Sequence, residues 1–196
     1  MNTIIENIAP DLQGPIATLG DTQTSITCSQ HVAKVKYPSQ SRMGASTFEE
    51  AAAMVKDGLA KLLLVPGAYP AIGNFLMDEE LVLVKAFKKK IPALAFGNTL
   101  NDIMAPLETI YHHAAVTSLL PNVPGYNSGT RFIASKSNEE AYEAMLKHGE
   151  RAGCVSNKIV FEYYDRPTLL TLRTERDMSW NVFAARRSIN KKGKRA

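Results

Sequence analysis

The sequence predicts an α/β chain of two similar lobes, and three observations carry that prediction. The first is a repeated pattern. Ser46-Thr47-Phe48-Glu49-Glu50-Ala51 opens a helical stretch that stops at Gly58 and leads into Leu62-Leu63-Leu64-Val65. Ser137-Asn138-Glu139-Glu140-Ala141 opens another that stops at Gly149 and leads into Ala152-Gly153-Cys154-Val155. In both, a hydroxyl or amide residue stands where it can cap the helix, and acids occupy the first turn, where the helix dipole favours them. The second observation is the unbroken apolar run Leu62 to Val65, bounded by Pro66-Gly67, which reads as a strand covered on both faces in a parallel sheet. The third is size and composition. At 196 residues, 45% apolar and 21% charged, the chain is one large domain or two small lobes, able to bury a core without disulfide or metal staples.

The elements follow from period and punctuation. Residues 1–15 are an undefined lead-in. Ile16 to Leu19 is a short strand ending at Gly20, followed by the hydroxyl-rich Asp21-Thr22-Gln23-Thr24-Ser25 and a helix from about Ile26 to Val35. Pro38 to Ser46 reads as loop, and the capped helix then runs to about Lys56. After the Lys61–Val65 strand come a short helix over Ala71–Met77, a strand over Leu81–Phe87, a turn at Lys88-Lys89-Lys90 and a strand over Ile91–Phe96. Ala114–Ser118 reads as a strand, followed by a loop with Pro121, Pro124 and Gly125. Arg131–Ser135 is a strand and Asn138–Lys147 the second capped helix. Ala152–Val155 is a strand, Lys158–Tyr163 a helix, and Leu169–Arg173 and Trp180–Ala184 the last strands. The expected domain is 16–187, with 188–196 a basic tail.

The net charge of +4 comes from that end: the last eleven residues hold six basic residues and no acid, leaving the rest slightly acidic. Such a body does not suit nucleic acid, and the tail reads as a solvated terminus. No apolar run is long enough to cross a membrane. The first twenty residues hold Glu6 and Asp11 and no basic residue, unlike a secretory leader. Cys28 and Cys154 match no metal spacing, so reduced thiols in a cytoplasmic protein are expected.

No phosphate-binding loop, complete dinucleotide fingerprint or zinc-protease motif is present. The adjacent rings of His112 and His113 point to opposite faces of a regular strand and would not chelate together. The expectation is therefore a site without metal or cofactor, built from hydroxyls, amides and helix N-termini, which suits a small anion. In open parallel sheets ligands sit at the carboxyl ends of strands. The turns Gly20–Ser25, Pro66–Tyr69, Thr117–Ser118 and Ser156–Asn157 all follow expected strands. Alternative readings stand beside these: strand-end Ser and Thr as caps or turn formers, Tyr69 as lobe packing and Asn157 as the cap of the Lys158 helix; elsewhere, Arg131 as a surface salt-bridge partner and Trp180 as core.

Thr18-Leu19-Gly20 with Thr24-Ser25 resembles the prephenate dehydratase loop G-P-x-G-T-x-S, with Asp21 and Gln23 at its Pro and second Gly. Thr47-Phe48-Glu49-Glu50, through Leu64-Val65-Pro66-Gly67-Ala68-Tyr69 to Ile72, Phe75 and Met77, resembles the bacilysin-type prephenate decarboxylases of antibiotic pathways, which carry V-P-x-A-Y. Arg131-Phe132, Ser137, Ala141 and Ala152-Gly153-Cys154-Val155-Ser156-Asn157 are similar to the second lobe. Asp177-Met178-Ser179-Trp180-Asn181-Val182-Phe183 resembles the ending M-S-W-x-x-F.

The resemblance spans roughly residues 16–186. It implies a two-lobed, type 2 periplasmic-binding-protein-like fold with a ligand cleft between the lobes. It also implies a cofactor-free lyase acting on prephenate or another small anionic cyclic acid, with a homodimer as the expected oligomer. Implied substrate-binding residues are Gly20, Thr24, Ser25, Ala68, Tyr69, Thr117, Ser118, Arg131, Ser156, Asn157 and Ser179, with Ser179 and Thr24 as the catalytic candidates. Dehydratases place a T-R-F motif late in the chain, and its Thr acts on the leaving hydroxyl. Here Thr130-Arg131-Phe132 precedes the second-lobe helix, and Met178-Ser179-Trp180 stands at the matching position. A thioether delivers no proton, so the resemblance points to decarboxylation before dehydration. A dehydratase-like lyase on a different ring acid, and a noncatalytic binder of small anions, are the alternatives.

Overall fold

The structure, a computed structural model, describes residues 13–20, 26–124 and 129–190. The chain divides into two compact units. The first takes the described residues up to Gly20, then Ser29–Lys90 and Asp177 onward; the second takes Ile26–Cys28 and Ile91–Arg176. Each holds one five-stranded sheet.

In the first unit, β1 (Ile16–Leu19) lies between β2 (Arg42–Ala45) and β3 (Leu62–Pro66), parallel to both. On the far side of β3 runs β10 (Arg176–Ala185), antiparallel, with Trp180 opposite Pro66 and Val182 opposite Leu64. The outer strand is β4 (Leu81–Ile91). Helix α1 (Cys28–Lys36) begins in the second unit and continues in the first. Helices α2 (Phe48–Asp57) and α3 (Ile72–Leu76) also belong to the first unit. Phe48, Ala51, Ala52 and Val55 of α2 pack in one cluster with Leu63, Val65, Phe75 and Phe183. The turn that starts α2 closes as expected: Thr47 accepts from the Glu50 N–H, and the Glu50 carboxylate accepts from the Ser46 N–H at 2.9 Å. Gly58 ends it with φ 82°, a left-handed cap.

The second unit repeats the plan. β6 (Thr109–His113) lies between β7 (Arg131–Ser135) and β8 (Ala152–Asn157), parallel to both. β5 (Leu94–Asn98) runs antiparallel to β8, and β9 (Leu170–Arg173) is outermost, antiparallel to β5. Helix α4 (Asn138–His148) carries the matching start: Ser137 accepts from the Glu140 N–H, and the Glu140 carboxylate accepts from the Lys136 N–H. Helix α5 (Lys158–Tyr163) follows β8 directly. Ala141, Tyr142 and Met145 of α4 pack with Cys154, Val160, Phe161 and Ile26. The repeated helix–strand pattern thus corresponds to two sheets of the same strand order.

Several sequence expectations are corrected. Arg42–Ala45, expected as loop, is edge strand β2; its polar Arg42 and its Gly44 hide it from a hydrophobic pattern. Lys88–Lys90 is no turn: β4 runs on to Ile91, and half-buried and exposed residues alternate from Lys85 to Ile91, because lysines on an outer strand keep their charge in water. Ala114–Ser118 is no strand. It opens a 3₁₀ helix, Ala114–Asn122, in which Val116, Leu119 and Leu120 are buried, a helical spacing. His113 caps that helix by accepting the Ala115 N–H, and the strand is the preceding Thr109–His113. Helix α6 (Arg186–Asn190) crosses the expected boundary at 187/188. No helix among the described residues is long and apolar enough to cross a membrane.

Candidate functional site

In the first unit the candidates gather at the carboxyl ends of β1 and β3. Gly20 follows β1 at φ 138°, a conformation that suits glycine, and donates its N–H to Ala45 O at 2.9 Å. One residue inside that end, the buried Thr18 hydroxyl donates to Leu64 O at 2.7 Å and ties β1 to β3. Beyond β3 the chain turns, with the Tyr69 N–H donating to Pro66 O. Ala68 is exposed on this turn.

Tyr69 stacks between Phe48 and Phe75, at 4.7 and 6.0 Å between ring centres, and donates its hydroxyl to Glu49 Oε1 at 2.8 Å. Desolvation, then the hydrogen bond to Glu49, raises its phenol above the ordinary value, so it stays protonated. That is the packing reading, with the hydroxyl already committed.

Ser179 sits beside the same turn. Its carbonyl accepts the Gly67 N–H at 2.7 Å, and its hydroxyl lies where a Cβ at position 67 would stand. The Ser179 side chain is exposed, whereas Trp180 is fully buried, with its indole N–H donating to Lys89 O. Met178 is half-buried. Thr24 and Ser25 lie outside the described residues.

In the second unit the strand-end polar groups are largely engaged within the protein. The buried Ser156 hydroxyl donates to Asn138 O at 2.8 Å. Asn157 caps α5, its Oδ1 accepting the Val160 N–H at 3.0 Å while its Nδ2 donates to Ile26 O at 3.2 Å. Thr117 and Ser118 are exposed on the 3₁₀ helix, and the Thr117 hydroxyl donates to Ala114 O. Arg131 stands apart from this set. It pairs in register with Thr109, at the amino end of the parallel strands, and its guanidinium donates to the Thr109 hydroxyl at 3.1 Å. A five-residue strand spans roughly 13–17 Å, so Arg131 does not meet Ser156 and Asn157.

One group here was not among the sequence candidates. Cys28 is part-buried at the start of α1, where Asn138 Nδ2 contacts its Sγ at 3.9 Å. Burial pushes the thiol up to about 11, and hydrogen bonds from Asn138 and Asn157 offset only part of the rise. The thiol is therefore neutral. Beside it, Asn138 Oδ1 is buried without a partner among the described residues. The sequence held a signal: Thr27-Cys28-Ser29 has the T-x-S spacing of the prephenate dehydratase loop that this stretch resembles and opens a helix, whereas Thr24-Ser25 lacks the intervening residue. The adjacent histidines are occupied locally. His112 Nδ1 contacts His113 O at 3.1 Å, and His113 is lowered by burial and then by His112.

No protein-family model matches the chain, and no curated protein matches it significantly. Solved structures do. GqqA, described as a novel type of quorum quenching acylase, matches with a TM-score of 0.63 at 16% identity, over 88% of this chain and 64% of that one. A prephenate dehydratase from Arthrobacter aurescens in complex with L-Phe matches with a TM-score of 0.63 at 12% identity, over 87% and 60%. A periplasmic substrate-binding protein of an ABC transporter from Coxiella burnetii matches with a TM-score of 0.53 at 12% identity, over 91% and 87%. The chain thus spans less than two thirds of the length of the first two. At these identities the likeness is one of fold: α/β with two five-stranded sheets, the architecture of prephenate dehydratases and periplasmic binding proteins.

Proposed function

We propose that this chain is a cofactor-free lyase that decarboxylates prephenate or a related cyclic carboxylic acid. The observation that carries the reading is the seat of Ser179. An exposed hydroxyl on β10 stands against the glycine that follows β3, at the carboxyl end of a parallel strand, where ligands bind in such sheets. The fold shared with a prephenate dehydratase supports the substrate class, and the M-S-W sequence at 178–180 supports the reaction. Met178 has no proton to give, so loss of hydroxide by that route has no donor. Decarboxylation asks less of the protein. The ring carboxylate leaves as CO2, the electron pair of its C–C bond passes into the ring diene, and a ring carbon takes one proton. The ring hydroxyl is retained. Ser179 holds the substrate through its hydroxyl.

Incubation with prephenate at neutral pH without added metal tests this. Mass analysis is expected to find loss of CO2 with the ring hydroxyl kept; phenylpyruvate as the main product would overturn it. A second reading, a binder of small cyclic anions without turnover, is favoured by one observation. Ser156 and Asn157 both spend their side chains on the protein itself. Saturable prephenate binding with no product would select it.

A further inference from the structure

The first unit's sheet ends in a basic edge. β4 is its outermost strand, and an outer strand presents a row of backbone N–H and C=O groups that no neighbour pairs. Side chains alternate along it. Phe87 faces the end of α1: its ring lies edge-on to Tyr37 at 6.3 Å, and Lys36 Nζ stands 5.2 Å over it. Lys85 and Lys89 share that face and are half-buried, while Ala86, Lys88 and Lys90 line the other and are exposed.

The charge around this edge is unbalanced. Residues 28–47, which include α1 and the chain after it, hold Lys34, Lys36 and Arg42 and no acid; residues 81–101 hold four lysines and no acid. Lys36, Lys85, Lys88 and Lys89 make no ion pair among the described residues. Lys56, by contrast, meets Asp78 and Glu80 ahead of the strand. The neighbouring strand β10 brings Arg176 and Asp177, whose charges cancel. A rather acidic chain therefore gathers unpaired cations along one open strand and the helix end beside it.

These features select the occupant. A second copy of β4 would set lysine against lysine, and like charges directly opposite one another are unfavourable. A polyanion without a peptide backbone would answer the charge and leave the edge N–H and C=O groups unpaired. An extended acidic peptide answers both, with main-chain bonds along the edge and carboxylates opposite the lysines. We propose that β4 docks an extended acidic segment of a partner protein as an added strand, with acids opposite Lys85, Lys88 and Lys89 and an apolar residue opposite Phe87. The surface does not depend on the lyase reading.

The probe is the peptide Thr-Glu-Glu-Val-Glu-Glu-Thr, blocked at both ends and titrated into the full chain labelled with 15N. One control carries Gln for every Glu (backbone without charge). The other carries Pro for Val and for both Thr (charge without a pairing backbone). The probe is expected to shift the amide signals of β4 saturably and to slow hydrogen exchange at every second amide over 82–90, those that point away from β10. Both controls are expected to bind more weakly, and added salt to weaken the probe. The triple variant Lys85→Gln, Lys88→Gln, Lys89→Gln, its fold checked by an unchanged melting temperature, is expected to lose about tenfold in affinity, the sum of three opposite-charge cross-strand pairs. Unmoved β4 amides, equal affinity for the proline peptide, or wild-type affinity in the triple variant would each overturn the proposal. So would a short single-stranded oligonucleotide that binds β4 more tightly than the probe, which would make the edge a nucleic-acid surface instead.

Discussion

Gly67 and Ser179 share one volume. The Gly67 N–H donates to the Ser179 carbonyl at 2.7 Å, and the Ser179 hydroxyl occupies the place of the side chain that Gly67 lacks. Position 67 therefore decides where that hydroxyl points. Gly67→Ala leaves the hydroxyl only the option of rotating away, while the Ser179 Cβ and carbonyl stay tight against the new methyl at 3.2 and 3.3 Å. We expect Gly67→Ala and Ser179→Ala each to weaken ligand binding by about 1 kcal/mol, one neutral hydrogen bond. The double variant should be little worse than either single one. Full additivity in a double-mutant cycle on prephenate or analogue affinity would show that the two residues act separately.

Trp180 faces the other way. Its side chain is fully buried and tied to Lys89 O. Trp180→Ala is expected to cost roughly 3–5 kcal/mol of stability in urea denaturation, as large-to-small core changes do. A stable Trp180→Ala protein without ligand affinity would place the indole in the site instead.

The Cys28 thiol gives an alkaline signature. In the unfolded chain it loses its proton near its ordinary value of 9.0, whereas the folded chain holds it to about 11. Between those values the folded state binds more protons, so stability falls as pH rises through this window. Cys154, raised by its own burial, acts in the same direction. Cys28→Ala should make the fall between pH 9 and 11 shallower. Iodoacetamide should label Cys28 slowly in the native protein at pH 8 and rapidly after unfolding, because the thiolate is the reactive form. An unchanged alkaline limb, or rapid native labelling, would contradict a neutral, desolvated thiol.

The paired helix starts should be energetically similar. Thr47→Ala and Ser137→Ala each remove one cap hydrogen bond, to Glu50 N and Glu140 N respectively, and each is expected to cost about 1 kcal/mol in thermal or urea unfolding. A negligible effect at both would mean that tertiary packing alone holds α2 and α4.

What the sequence made legible was what local chemistry controls. Thr47, Ser137, Gly58 and Gly149 mark helix ends through their own hydrogen bonds and dihedral angles, and the run Leu62 to Val65 is apolar because both faces of β3 are covered. Elements set by neighbours were less legible. β2 is ordered by pairing with β1, and β4 extends through three lysines at the sheet's outer position, so neither needs an apolar pattern. The candidate site divides similarly. Ser179 was singled out through its motif, and the structure seats it beside Gly67; the opposite-end position of Arg131 depends on the register of β7 against β6. The contact of Cys28 with Asn138 joins residues 110 apart in sequence, and no periodicity encodes it.

The place of β10 bears on how the chain emerges during synthesis. The first unit's sheet takes its fourth strand from residues 176–185, after the whole second unit. Translation therefore completes the second sheet while β3, with its run of four buried apolar residues, still has an open edge. An open apolar edge templates pairing with other chains, and a strand that must wait for a distant partner folds late. Nascent chains halted at Arg176 are the species most prone to pair with one another, and residues 177–185 decide whether the first unit's sheet closes.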